Sequence, residues 1–308
     1  MDQANRLREI MKTQIHQQER KASITPHPLS QGLTFPRVIA VTSGKGGVGK
    51  TNIVGNLAIA FTRLGKKVIV LDADLGLANI DILFRIHPHF HMGHVINGEK
   101  ELSEVMADGP EGIRIIPAGS GFTDFTHLTE GQKLNILSEF ESLDEMVDIF
   151  LIDTGAGISS NVIYFNLAAD ECIIVATDEP TSITDAYAMI KVMATQHGMN
   201  YFKILINMVR NEMQAKMVYH TLSKSVERFI NDVVLEYIGY LPTDHLLKQA
   251  LMNRSTVIEM YPSAISSTCF QNLAEELLKS PARLSAEGNI KFFLKRFIDY
   301  KTASGMAI

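Results

Sequence analysis

Seven short apolar runs punctuate the chain between residues 38 and 242: VIAVT (38–42), KVIVLD (67–72), IRIIPA (113–118), DIFLID (148–153), CIIVAT (172–177), KILINM (203–208) and VLEYIGYLP (234–242). They are rich in β-branched residues and continuous, the pattern of strands buried on both faces. Helical patterning falls near 51–64, 129–146, 158–167, 181–197, 211–231, 244–253 and 263–279. Strand–helix alternation over such a length predicts an α/β fold with a doubly wound, mainly parallel sheet.

The ends read differently. Residues 1–21 are polar, with Ala4, Leu7 and Met11 at helical spacing; residues 22–36 hold three prolines, a glycine and two serines and read as a linker. A single domain is therefore expected over 37–280, with helical extensions on both sides. After a break at Pro281, Ile290, Phe293, Leu294, Phe297 and Ile298 fall at i, i+3, i+4, i+7 and i+8, with Phe292 beside them. Lys291, Lys295, Arg296 and Lys301 flank that stripe, so 288–308 reads as an amphipathic helix lying in a membrane interface. The same stripe could also pack on the domain.

Composition narrows the classes. At 46% hydrophobic and 20% charged, the chain is expected to fold into a globule. No apolar run approaches the roughly 20 residues of a membrane span, and the N-terminus shows no apolar leader. The net charge of −5 is uneven: the last 21 residues carry +3 and the first 21 carry +2, leaving −10 on the 266 between. An acidic body is a poor nucleic-acid surface, so no direct nucleic-acid contact is expected, and any polyanion or membrane contact belongs to the ends. Cys172 and Cys269 are the two cysteines. That count excludes a disulfide scaffold and any four-thiolate metal or iron–sulfur site within one chain, and it fits a reducing cytoplasm.

The densest chemical signal follows the first run. Gly44-Lys45-Gly46-Gly47-Val48-Gly49-Lys50-Thr51 matches the P-loop pattern G-x-x-x-x-G-K-[ST], with a strand before it and a helix after. Gly46, Gly47 and Gly49 can take backbone angles closed to other residues, turning successive N–H groups inward around phosphates. Lys50 would bridge β- and γ-phosphates, the Thr51 hydroxyl would hold Mg²⁺, and the Asn52 amide can donate to an α-phosphate oxygen. Asp153 closes an apolar strand, where a carboxylate needs a partner such as a metal. Asp72 and Asp74 follow the second run and read either as site carboxylates, Asp72 weakly, or as caps of a helix starting near Leu77. His87, His89, His91 and His94 cluster without acidic or cysteine companions and are expected on a loop.

KGGVGKT, with its second lysine at Lys45, closely resembles the deviant Walker A motif of the MinD/ParA ATPases. DADLGLANID, IDTGAG, NMVRN and the N-terminal Asp2-Gln3-Ala4 with Leu7-Arg8 resemble the FlhG/FleN (YlxH-like) branch, which sets flagellar number and placement. The resemblance runs from 37 to about 300. It implies a MinD-like P-loop fold and an ATPase using ATP and Mg²⁺ as a dimerising switch. In that family Lys45 would act across a homodimer on the partner's nucleotide, Asp74 would orient the attacking water, and Asp153 would hold Mg²⁺ through water. Thr154–Gly157 would sense the γ-phosphate, while Asn207 and Pro242 would flank the adenine. Asn207 and Pro242 are also ordinary strand-exit residues.

The branch further implies that 1–21, through Gln3, Leu7 and Arg8, activates the flagellar signal-recognition-type GTPase. A transcriptional regulator or switch-complex protein is a second expected partner. The implied location is cytoplasmic, reversibly attached to the inner face of the cell membrane. Two other readings carry less. A division-site MinD or partitioning ParA does not explain the 36-residue N-terminal extension or the acidic body, and a cluster carrier would need a C-x-x-C pair that is not present.

Overall fold

All seven apolar runs become strands of one sheet. The computed structural model describes residues 36–74, 79–117, 129–141, 143 and 146–280. Residues 1–21, most of the linker and 288–308, with Gln3, Leu7, Arg8, Ile290, Phe293, Leu294, Phe297 and Ile298, lie outside the described residues.

The strands are β1 (Arg37–Ser43), β2 (Val68–Ala73), β3 (Ala107–Asp108), β4 (Arg114–Pro117), β5 (Ile149–Ala156), β6 (Glu171–Ala176), β7 (Tyr201–Val209) and β8 (Val234–Pro242). Their order is β3-β4-β2-β5-β1-β6-β7-β8. Every neighbouring pair is parallel except β3 with β4. β1 is central, with β5 on one side and β6 on the other; β2 and β4 lie beyond β5, while β6, β7 and β8 step outward in chain order, so the connections leave β1 in opposite directions. Ligands of open α/β sheets bind at the carboxyl ends of strands where connections diverge in this way.

Numbered over the described residues, the helices are α1 (Lys50–Arg63), α2 (Ile80–Phe84), α3 (Met92–Ile96), α4 (Leu102–Val105), α5 (Glu130–Glu141), α6 (Ser160–Ala168), α7 (Pro180–His197), α8 (Glu212–Phe229), α9 (His245–Met252), α10 (Val257–Met260) and α11 (Ile265–Lys279). Alternate strand residues face two apolar layers. Ile39, Val41, Val70, Leu151 and Ile173 pack against α1, α10 and α11. On the other face Val38, Ala40, Phe150 and Ile152 meet α3–α6, and Cys172, Ile174, Ile204 and Ile206 meet α6–α8. α1 is buried without a break from Asn52 to Phe61, as an interior helix must be.

The fold departs from expectation where elements are short. α2, α3, α4 and α10 have four or five residues each, too few for a helical period to register. α5 ends at Glu141, before the expected boundary at 146. His87, His89 and His91 lie outside helices, as expected, but His91 caps α3, its Nδ1 accepting the Gly93 N–H at 3.1 Å, and His94 lies on that helix. Imidazole lies outside the usual capping set of Ser, Thr, Asp and Asn, so sequence pattern does not flag it.

Candidate phosphate-binding site

The carboxyl ends of β1, β2 and β5 meet at the start of α1, and Lys50, Asp72, Asp74 and Asp153 converge there. The turn from β1 into α1 uses its glycines for different reasons. Gly49, the N-cap of α1, has φ 91°, and a Cβ there would come within 2.7 Å of Asn207 Nδ2. Gly44 needs no special φ; a Cβ on it would sit 2.3 Å from the Asp185 main chain on α7. Gly47 has φ 79°, whereas Gly46 is not in the left-handed region, contrary to expectation.

Lys50 is buried, and its Nζ donates to Ser43 Oγ at 3.0 Å. Ser43 in turn donates to the Lys45 carbonyl at 2.7 Å, so the last residue of β1 holds both ends of the loop. Burial lowers the Lys50 ammonium below its ordinary value, while Asp153 and then Asp74 pull it back up.

Asp153 is 1% exposed within β5. Neither carboxylate oxygen has a hydrogen bond of normal geometry among the described residues. Burial pushes the group up to about 8; the Thr51 hydroxyl and Lys50 oppose this, and Asp72 and Asp74 reinforce it. A buried carboxylate so short of donors, beside a threonine hydroxyl, has the chemistry of a hard-cation site. The residues present therefore fit Mg²⁺.

Asp72 behaves differently. Its Oδ1 accepts the Asp74 N–H at 3.2 Å and its Oδ2 the Ile80 N–H at 3.4 Å, tying β2 to the first residue of α2. The capping alternative thus describes Asp72 well, and burial raises its carboxyl to about 7. Asp74 stands just past β2 against the end of β5, which turns off at Gly157: a Cβ on Gly155 would lie 3.6 Å from Asp74 Oδ1. That turn is fixed to β1 by the Gly157 N–H donating to Ser43 O at 2.9 Å. Beneath it, Thr154 Oγ1 lies 2.9 Å from Thr42 Oγ1, which also accepts from Asn166 Nδ2 at 3.1 Å.

Lys45 reaches across to the residues that open α7. Its Nζ pairs with Glu179 and lies 3.0 Å from Thr181 Oγ1, on the same chain. Asn207, at the carboxyl end of β7, is occupied with the loop: Nδ2 donates to the Val48 carbonyl at 2.8 Å and Oδ1 accepts the Met208 N–H at 2.8 Å. Pro242 closes β8 beside it, in register with Val209. Sequence reasoning missed Ser43, Glu179, Asn56 and Asn166. Only the Glu-Pro step at a helix start gave Glu179 any local signal, since Pro favours the first helical position.

The family model described as "ParA: NUBPL iron-transfer P-loop NTPase" matches residues 34–278. The chain is 40% identical over 272 residues to the antiactivator FleN of Pseudomonas aeruginosa, covering 88% of this chain and 96% of that protein. It is 33% identical over 267 residues to the flagellum site-determining protein YlxH of Helicobacter pylori, covering 86% and 90%. Among solved structures, the septum site-determining protein MinD of Pyrococcus horikoshii, complexed with Mg-ADP, superposes with a TM-score of 0.62 at 21% identity, covering 79% of this chain and 96% of that one. That last likeness speaks to the fold. The glycine loop, its two lysines and the strand-end aspartates are the local counterpart of these similarities: the chain belongs to the ParA family of P-loop NTPases, as an ATPase of the MinD/ParA type in the FlhG/FleN branch.

Proposed function

We propose that this ATPase is a dimerising switch that regulates flagellar number and placement. One observation carries the reading: Lys50, Asp74 and Asp153 share one electrostatic site at the mouth of the glycine loop, in a chain 40% identical to FleN. Lys50 exchanges Ser43 for the β- and γ-phosphates of ATP, and loop N–H groups surround them. Thr51 and, through water, Asp153 would hold Mg²⁺, with Asp72 close by. Mg²⁺ bound there would neutralise charge across the β- and γ-phosphates. Asp74 orients the water that attacks the γ-phosphorus, giving ADP and phosphate. Lys45 leaves Glu179 and reaches the partner copy's nucleotide, placing positive charge where the leaving phosphate gathers negative charge. Asn207 and Pro242 flank the base. Gly44, Gly46, Gly47, Val48 and Gly49 line the loop.

The ends complete the proposal on sequence grounds. Residues 1–21 dock on the flagellar GTPase, and 288–308 attaches reversibly to an anionic membrane, firmly only when a dimer presents two such helices. Flagella counted per cell in a strain lacking this chain should return to normal with the wild type and not with Lys50→Ala. Purified Asp74→Ala should bind ATP, hydrolyse it poorly and accumulate as a dimer in gel filtration. Wild-type turnover in that variant would remove Asp74 from the chemistry.

A further inference from the structure

Asn56 lies one turn along α1 from Asn52, and both side chains are buried. Its Nδ2 donates to the Asn52 carbonyl at 2.8 Å and to Asn52 Oδ1 at 2.7 Å. Its Oδ1 accepts the Ile258 N–H of α10 at 3.2 Å. The contact with α10 fixes the other two. A backbone N–H can only donate, so the Asn56 atom facing Ile258 is oxygen and the atom facing Asn52 is nitrogen. Both hydrogens of that nitrogen then meet acceptors, so the Asn52 atom facing Asn56 is Oδ1. The Asn52 amide nitrogen is turned the other way. Helix side chains lean toward the helix N-terminus, so it is aimed at the loop side, and it has no protein acceptor among the described residues.

We propose that Asn56 is a positioning residue that locks the Asn52 amide as a donor toward the nucleotide α-phosphate, with α10 keeping Asn56 in place. This rests on the nucleotide reading of the loop and deepens it. An asparagine at 52 needs such a lock, because a flipped amide presents an oxygen to an anion. A hydroxyl at that position rotates to suit and needs none.

Asn56→Asp is the discriminating change. It keeps an acceptor for the Ile258 N–H, so the tether between α1 and α10 survives, and it loses both donor hydrogens. The Asn52 amide then turns its NH₂ toward the new carboxylate and its oxygen toward the phosphate. The Kd for Mg-ADP, measured by titration calorimetry, should weaken about tenfold. Repeating the change in an Asn52→Thr background separates the flip from the added charge, since the hydroxyl at 52 cannot be set wrongly. There Asn56→Asp should weaken binding less than about threefold. Asn56→Leu loses the tether and Asn56→Asp buries a carboxylate against the Asn52 carbonyl, so both should lower the melting temperature, and the titrations are run well below it, where circular dichroism shows each variant folded. Wild-type affinity in Asn56→Asp, or equal losses in the two backgrounds, would overturn the proposal while leaving the nucleotide reading intact. If the wild type did not bind Mg-ADP, both would fall.

Discussion

Asp153→Asn should stabilise the nucleotide-free protein while impairing it as an ATPase. The carboxyl is buried with no hydrogen bond of normal geometry among the described residues, and burial pushes it from 3.8 to about 8. A raised carboxyl pKa means the folded state holds the proton more tightly than the unfolded chain. Its cost is therefore absent below the unfolded value, grows as pH rises, and is complete above the folded value. At 1.36 kcal/mol per pH unit, the ceiling is about 5 kcal/mol at pH 8 and below about 2 kcal/mol at pH 5. Relaxation of the folded protein around the buried charge offsets part of this. We expect Asn to recover roughly 2 kcal/mol at pH 8, a rise of about 4–8 °C in melting temperature for a domain of this size. Removing the charge also relieves its repulsion with Asp72. Melting of the nucleotide-free proteins at pH 8 and pH 5 tests this, with a third arm in excess Mg-ADP at pH 8. The variant should lead clearly at pH 8, lead little at pH 5, and gain less from Mg-ADP than the wild type. If the variant melted below wild type at pH 8, or kept the same lead at pH 5, the uncompensated-charge argument would be refuted.

The other expectations can be checked with standard assays. Glu179→Gln releases Lys45 from its partner beside the loop. Because the pair is surface-exposed, the melting temperature should move by less than about 2 °C, while dimers form at lower ATP; an unchanged ATP requirement would show that Lys45 need not leave Glu179. Phe293→Asp or Phe297→Asp should abolish most ATP-dependent sedimentation with anionic liposomes, and undiminished pelleting would exclude 288–308 as the anchor. A peptide of residues 1–21 should raise the flagellar GTPase's rate, with Gln3→Ala weakening it more than Asn5→Ala. Equal activity of the two peptides would leave Gln3 without a catalytic contribution.

What the sequence makes legible here is what it writes contiguously. The glycine loop, Lys50, Thr51 and the strand–helix frame occupy one stretch, and the requirement for small residues is visible in the residues themselves. Asp153 is legible because a carboxylate directly after four apolar positions needs a reason. The partners are a different matter. Lys45 meets Glu179 134 positions away, Asn56 meets Ile258 202 away, and Asn166 meets Thr42 124 away. Each pairing depends on which elements lie side by side, and periodicity carries no information about strand order. The two-residue β3 and the four- and five-residue helices escape for a simpler reason, since they are shorter than the window over which a period can be seen.

The same distinction explains why the motif alone understates the site. Read locally, Asp72 and Asp74 are carboxylates two positions apart, each able to cap a helix or serve chemistry. The sheet separates them. Asp72 is still inside β2, in register with Asp153 on β5, and spends both oxygens on backbone N–H groups. Asp74 has just left the strand and lies against the end of β5 after Asp153. Side chains two apart on a strand share a face, so alternation cannot tell the pair apart. What divides them is where β2 ends relative to β5. Asp74 and Asp153 are thus gathered around the buried ammonium of Lys50, with Asp72 acting on Asp153, an arrangement with more negative than positive charge. Such an arrangement lowers the stability of the folded chain, and it becomes favourable once a divalent cation and its phosphates share the site.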